Sequence, residues 1–196
     1  MKIAIDIDEV LAEQLESVIE FYKQETGIFI SKDKFLSYKW WEVWDISKEE
    51  AISVDERFKE SDMFDNLKVV EGSINIMKKL SKNNNLIIIT ARPSFFENKT
   101  LSWLNRNYGD IFDNIYHSSD FHIENNNQKS KVDFCKDLGV KVIIEDNLEY
   151  SLNCAEKGFD VILLDKPWNK GVEHENIVRC FNWSEILREI KRLDNE

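Results

Sequence analysis

Asp6 and Asp8 stand two residues apart where the apolar run Lys2-Ile3-Ala4-Ile5 ends. On an extended backbone that spacing sends both side chains to the same side. Two carboxylates so close repel each other unless a cation or a shared proton intervenes, and a hard divalent ion such as Mg2+, which takes carboxylate and water oxygens, relieves the repulsion. Glu145-Asp146 closes another apolar run, Val142 to Ile144, and supplies further acidic metal ligands if that run lies beside the first. With a metal in place, one aspartate is free to attack phosphorus and the other to act as acid and base. Phosphoryl transfer spreads negative charge over the equatorial oxygens, so it also needs a hydroxyl donor and a cation facing the transferred group. Thr90, at the end of Leu86-Ile87-Ile88-Ile89, fits the first need and Lys131 the second. Ser130 reads as an N-cap, which places Lys131 in the first turn of a helix, at the positive end of the dipole, where a lysine is disfavoured without an anion nearby. Lys129, two residues earlier, competes for the same role. Arg92 follows Thr90 closely enough to reach a bound phosphate, and beside Pro93 it could equally form a loop salt bridge.

Each of these residues also has a plainer reading. Threonine is favoured in strands whatever its function. Glu145-Asp146-Asn147 has the composition of a turn that caps a helix starting near Leu148. Trp40, Trp41 and Trp44 offer aromatic surfaces for a nucleobase, but their helical spacing favours core packing. His117, His122 and His174 lack metal-ligand spacing, so neutral loop or strand-end roles suit them better than zinc binding. A lone D-x-D is common by chance, and the weight of Asp6 and Asp8 comes from the strand before them and the elements that follow in order.

The elements that must position these side chains can be read from periodicity. Short apolar runs at Lys2 to Asp6, Leu86 to Thr90, Asn114 to Ser118, Val142 to Glu145 and Val161 to Asp165 alternate with helical patterns, which indicates an α/β fold with a parallel sheet. Helical spacing links Leu101, Leu104 and Tyr108, then Val132, Cys135 and Leu138, then Leu148, Leu152 and Ala155. Gly139 and Gly158 fall where helices end, and a final helix is expected from an N-cap at Ser184 through Ile186, Leu187, Ile190 and Leu193. The rhythm breaks after the first strand, where residues 12–71 intervene before a helix at Ile74, Met77 and Leu80. That stretch reads as an inserted α-helical cap opening with an amphipathic helix that carries Leu11, Leu15, Val18, Ile19 and Tyr22 and closes near Gly27. Asn125-Asn126-Asn127-Gln128 and Asn83-Asn84-Asn85 read as short polar connections.

Composition narrows the function. With 196 residues, 42% hydrophobic and 32% charged, the chain can bury a core and is not a disordered segment. A net charge of -11 repels a bare phosphate backbone on average, which argues against a nucleic acid polymer as partner and leaves a small phosphorylated metabolite held by local cations or a metal. Carboxylates at Asp6 and Asp8 interrupt the apolar stretch a signal peptide would need, and no apolar run approaches the roughly 20 residues of a membrane-spanning helix. Cys135, Cys154 and Cys180 form no C-x-x-C pair, so reduced, mostly buried thiols and a cytoplasmic location are expected, without a membrane partner.

The order Asp6-x-Asp8-x-Val10, Thr90, Lys131 and Glu145-Asp146 resembles the four motifs of haloacid dehalogenase (HAD) superfamily phosphatases. The resemblance covers about residues 1–11 and 72–196 and implies a Rossmann-like core and Mg2+ dependence. By the same resemblance Asp6 is the nucleophile and a metal ligand, and Asp8 is the general acid/base, bound to the metal through its backbone carbonyl. Thr90 and Lys131 hold the phosphoryl group, Asp146 binds the metal, and Glu145 does so directly or through water. The insertion after the first motif, with Phe64, Leu67 and Gly72 in its return segment, resembles the 5'(3')-deoxyribonucleotidase group. It differs in carrying Glu9 where many relatives have glycine, and Glu145 where aspartate is usual. Leu164 to Asn169 resembles a tail of bacterial nucleotidase-like proteins. The implied activity is Mg2+-dependent hydrolysis of a nucleoside monophosphate through an aspartyl phosphate, by a monomer or homodimer. A phosphatase of another metabolite, such as a sugar phosphate, is the alternative within enzymes. A receiver-like phosphoacceptor module is the alternative outside them, although receivers carry their aspartate mid-chain rather than at position 6.

Overall fold

The computed structural model describes residues 1–119 and 129–195; His122 and Asn125 to Gln128 lie outside that range. Its centre is a six-stranded parallel sheet in the order β5-β4-β1-β6-β7-β8. The strands are β1 (Lys2–Ile5), β4 (Asn85–Thr90), β5 (Asn114–His117), β6 (Val142–Glu145), β7 (Asp160–Leu164) and β8 (Ile177–Cys180). β1 and β6 are almost wholly apolar because both sheet faces are covered. Ile3, Ile5, Ile88, Val142 and Ile144 point into one apolar cluster, and Ala4, Ile87, Ile89 and Ile143 into another on the opposite face, as period-two alternation requires. β8 is an addition to the strands read from sequence, its half-buried Ile-Val-Arg-Cys pattern too short to stand out.

The helices α5 (Ser73–Leu80), α6 (Glu97–Tyr108), α7 (Lys131–Leu138), α8 (Leu148–Glu156) and α9 (Trp183–Leu193) cover the sheet. Ser130 caps α7 in a reciprocal box with Asp133, and Gly139 ends it in the left-handed region at φ 65°. The expected cap of α9 is displaced. Asn182, not Ser184, accepts from the Glu185 amide at 3.0 Å, and Ser184 lies inside the helix. Both residue types cap well, and Trp183, buried in the core, sets where the helix begins.

The insertion leaves the sheet through a tight turn in which the amides of Leu11 and Ala12 both donate to the Ile7 carbonyl, at 2.8 and 2.9 Å. A two-residue antiparallel pair, β2 (Ala12–Glu13) with β3 (Lys68–Val69), closes its stem. Leu11 therefore belongs to the turn, and the first helix, α1, begins only at Gln14 and runs to Thr26. Three further helices follow, α2 (Trp40–Trp44), α3 (Lys48–Glu60) and α4 (Asp62–Asp65). Leu15, Val18, Ile19 and Tyr22 of α1 and Ala51, Val54 and Phe58 of α3 are buried together with Phe35 and Trp44. Trp103 donates to the Leu67 carbonyl at 2.9 Å and Trp183 to the Val10 carbonyl at 3.2 Å, which anchors both stem segments to the core.

Candidate active site

In a parallel sheet all carboxyl ends lie on one edge, and the chain order reverses around β1, where such sheets leave a crevice. β4, β1 and β6 are neighbours, so Thr90, Asp6 and Glu145-Asp146 emerge side by side. Lys131 reaches them from the first turn of α7. Its ammonium donates to Asp6 Oδ1 at 2.7 Å and also to Glu145 Oε1, and the side chain is 1% exposed. Lys129 instead faces solvent, paired with Asp137 at 2.6 Å. Of the two lysines, Lys131 is the one that meets the acids.

The charge balance around this centre is uneven. Asp6, Glu145 and Asp146 bring carboxylate oxygens within 4.8 Å of one another, all buried. Burial, followed by repulsion from Glu145 and Asp8, pushes Asp6 up to about 7 despite the attraction of Lys131. Burial and then the charge of Asp6 push Asp146 well above the carboxylate range. Burial acts against the Lys131 charge too, but Asp6 and Glu145 outweigh it and hold the ammonium protonated. One lysine thus faces several acids, a donor set of hard oxygens suited to Mg2+ or a similar divalent ion. These residues fit the metal that the motifs imply.

Glu145 is more committed than the sequence suggests. Its Oε2 accepts the amides of both Asp146 and Asn147 at 2.8 Å, while Oε1 faces Lys131. The adjoining Asn147 caps α8, accepting from the Glu149 and Tyr150 amides at 2.8 and 3.2 Å. The capping reading thus holds for Asn147, while Glu145 and Asp146 point their carboxylates into the acidic cluster beside Asp6.

Asp8 is gripped by Arg92. The guanidinium donates from Nε to Oδ2 at 2.9 Å and from Nη2 to Oδ1 at 2.6 Å, and it lies 4.5 Å over the ring of Phe64 from α4. The Gln14 amide, oriented with its nitrogen towards Asp8, adds a bond at 3.0 Å. Thr90 is fully buried; its hydroxyl accepts the Arg92 amide at 3.1 Å and keeps its own proton to donate. His117 bonds the Arg92 carbonyl through Nδ1 at 2.8 Å, and His174 accepts the Asn176 amide at 3.1 Å, so both have local structural partners.

The sequence marks Glu9 and the Leu164 to Asn169 segment without giving them a role, and it does not mark Tyr38. Glu9 sits in the left-handed region at φ 59°, where glycine would be free of strain. Its carboxylate accepts the Leu15 amide at 2.7 Å, capping α1 where Glu13 does not, and pairs with Lys166 at 3.2 Å. From the insertion, the Tyr38 hydroxyl donates to Asp146 Oδ2, and Trp168 donates to the same oxygen at 3.0 Å. The tryptophans named for a nucleobase divide. Trp44 is buried and stacked on Tyr22 at 4.4 Å, so its ring belongs to the insertion's core; Trp40 and Trp41 are half-buried against that core.

A doubly wound parallel sheet with clustered acids after its first strand and a helical insertion defines a HAD-type α/β hydrolase. The fold is shared with a haloacid dehalogenase-like hydrolase from Streptococcus pneumoniae at TM-score 0.68, covering 96% of this chain and 97% of that one at 16% identity. The model of the family described as 5' nucleotidase, deoxy (pyrimidine), cytosolic type C protein matches residues 1–193. The chain belongs to this family, and with it to the nucleotidase-type phosphoric monoester hydrolases. It is 32% identical over 192 residues to a 5'(3')-deoxyribonucleotidase of Bacillus subtilis strain 168, covering 96% of this chain and 97% of that protein. It is 31% identical over 118 residues to a nucleotidase of Clostridium acetobutylicum, of whose length the match spans 57%. This membership sets aside the receiver-like alternative. Among the described residues, no helix is long and apolar enough to cross a membrane.

Proposed function

We propose that the protein is a divalent-metal-dependent phosphomonoesterase of nucleoside monophosphates, with Mg2+ as the metal and residues 12–71 as a cap over the strand ends. The observation that carries this reading is the buried meeting of Asp6, Lys131, Glu145 and Asp146 at adjoining strand ends, next to Asp8. Asp6, Asp146 and the Asp8 backbone carbonyl would hold the ion, with Glu145 reaching it through water. Bound there, it would offset the carboxylate charge and draw electron density from the phosphoryl oxygens.

Asp6 supplies the nucleophile. A carboxylate oxygen forms a bond to phosphorus in line as the bond to the ester oxygen breaks, and Asp8 gives that leaving oxygen its proton. Asp8 then takes a proton from water as the water oxygen bonds to phosphorus and the Asp6–phosphorus bond breaks, which returns Asp6 and releases phosphate. Lys131 and the Thr90 hydroxyl bind the phosphoryl oxygens throughout. Asp8 has both oxygens occupied by Arg92, so its acid role requires that pair to loosen. A phosphate dianion competes for the same guanidinium fork, which joins the two sequence readings of Arg92, salt bridge and phosphate ligand. The Bacillus subtilis relative's name points to deoxyribonucleotides as the first substrates to try.

Phosphate release from nucleoside and deoxynucleoside 5'- and 3'-monophosphates and from sugar phosphates tests this directly. The expected result is turnover of nucleotides with Mg2+, none with EDTA, and none by Asp6→Asn. Turnover confined to sugar phosphates overturns the substrate class, and equal turnover with EDTA overturns the metal role.

A further inference from the structure

The Lys166-Pro167-Trp168-Asn169 turn after β7 has no part in the reaction as described, but it is built around Asp146. Asn169, fully buried, donates from Nδ2 to the Asp146 carbonyl at 2.7 Å and to the Leu164 carbonyl at 2.8 Å. Its Oδ1 accepts the Lys166 amide at 3.1 Å and Arg179 at 2.6 Å, so the amide is locked at both ends. Trp168 and Tyr38, packed edge to face at 5.5 Å, both donate to Asp146 Oδ2, while Oδ1 accepts no hydrogen bond among the described residues. Neutral donors thus occupy one oxygen and leave the other to the acidic cluster.

We propose that Trp168 and Asn169 are positioning residues that orient Asp146 with Oδ1 towards a divalent cation, and that Tyr38 adds a bond from the cap side, so that ion affinity depends on all three. Partners behind a metal ligand fix its direction, and losing one costs about 10- to 100-fold in affinity. Two of these donors come from the turn and one from the insertion, so the orientation of Asp146 also senses where the insertion sits. The proposal rests on the reading of Asp146 as a metal ligand.

Titration of Mg2+ and Mn2+ into the metal-free full-length protein by calorimetry separates the two ideas. Trp168→Phe keeps an aromatic ring against Tyr38 and deletes one N–H donor; it is expected to bind about 10-fold more weakly, with a lower Tm in EDTA from the smaller buried ring but an unchanged KM for substrate at saturating metal. Tyr38→Phe carries the same test on a half-buried residue should Trp168→Phe fail to fold. Wild-type affinity in the folded variants overturns the positioning role alone. No divalent binding by the wild type overturns the metal reading itself.

Discussion

Asp6→Asn is expected to cost all activity and yet stabilise the metal-free protein. In the folded chain Asp6 titrates near 7, against an ordinary value of 3.8. A carboxyl whose folded value is raised binds its proton more tightly when native, so stability is greatest below the unfolded value and falls as pH rises through the window from 3.8 to about 7. At 1.36 kcal/mol per pH unit, the displacement from 3.8 to about 7 corresponds to about 4 kcal/mol lost by pH 8. Asparagine copies the shape of the neutral acid and still accepts from Lys131, so the variant avoids that loss. Urea unfolding in EDTA is therefore expected to show variant and wild type about equal near pH 4, with the variant ahead by about 2 to 4 kcal/mol at pH 8. Saturating Mg2+ should shrink or reverse the gap, because only the wild type keeps the full carboxylate set. A variant no more stable at pH 8 than at pH 4, relative to wild type, would refute the picture of a buried acid short of positive charge.

Lys131→Met leaves Asp6 and Glu145 facing each other without their shared cation; a loss of about 3 to 5 kcal/mol by urea unfolding at pH 8 in EDTA is expected. Its kcat should fall by about 100- to 1,000-fold in Mg2+, as for a lost charge-stabilising donor, and unimpaired turnover would remove Lys131 from the site. Arg92→Lys keeps the charge but loses the two-pronged grip on Asp8, so a drop in kcat/KM and a displaced pH profile are expected, whereas a changed KM with an unchanged profile would restrict Arg92 to phosphate binding. Trp44→Ala should destabilise by about 3 to 5 kcal/mol in thermal or urea melts with KM preserved, as befits a ring stacked on Tyr22; a raised KM in a stable variant would return Trp44 to the substrate.

What could be read from the sequence alone was governed by short-range physics. An apolar strand ending in Asp6, a serine cap placing Lys131 on the first helical turn, and another apolar run ending at Glu145-Asp146 are each local patterns, set by hydrogen bonds and side-chain periodicity within a few residues. Their order along the chain also carried the family resemblance. Tertiary structure decided the pairings. Arg92 meets Asp8 across 84 positions and Tyr38 meets Asp146 across 108, contacts that exist only because the strand order and the docking of the insertion bring them together. The same holds for Lys166 against Glu9 and for Trp168 and Asn169 behind Asp146. Ser184 and Asn182 show the limit in miniature: both residue types cap equally well locally, and the burial of Trp183 in the core chose between them. A local pattern specifies which side chains stand ready at the end of a strand or helix, whereas the partner each one meets depends on how separate segments fill a common interior.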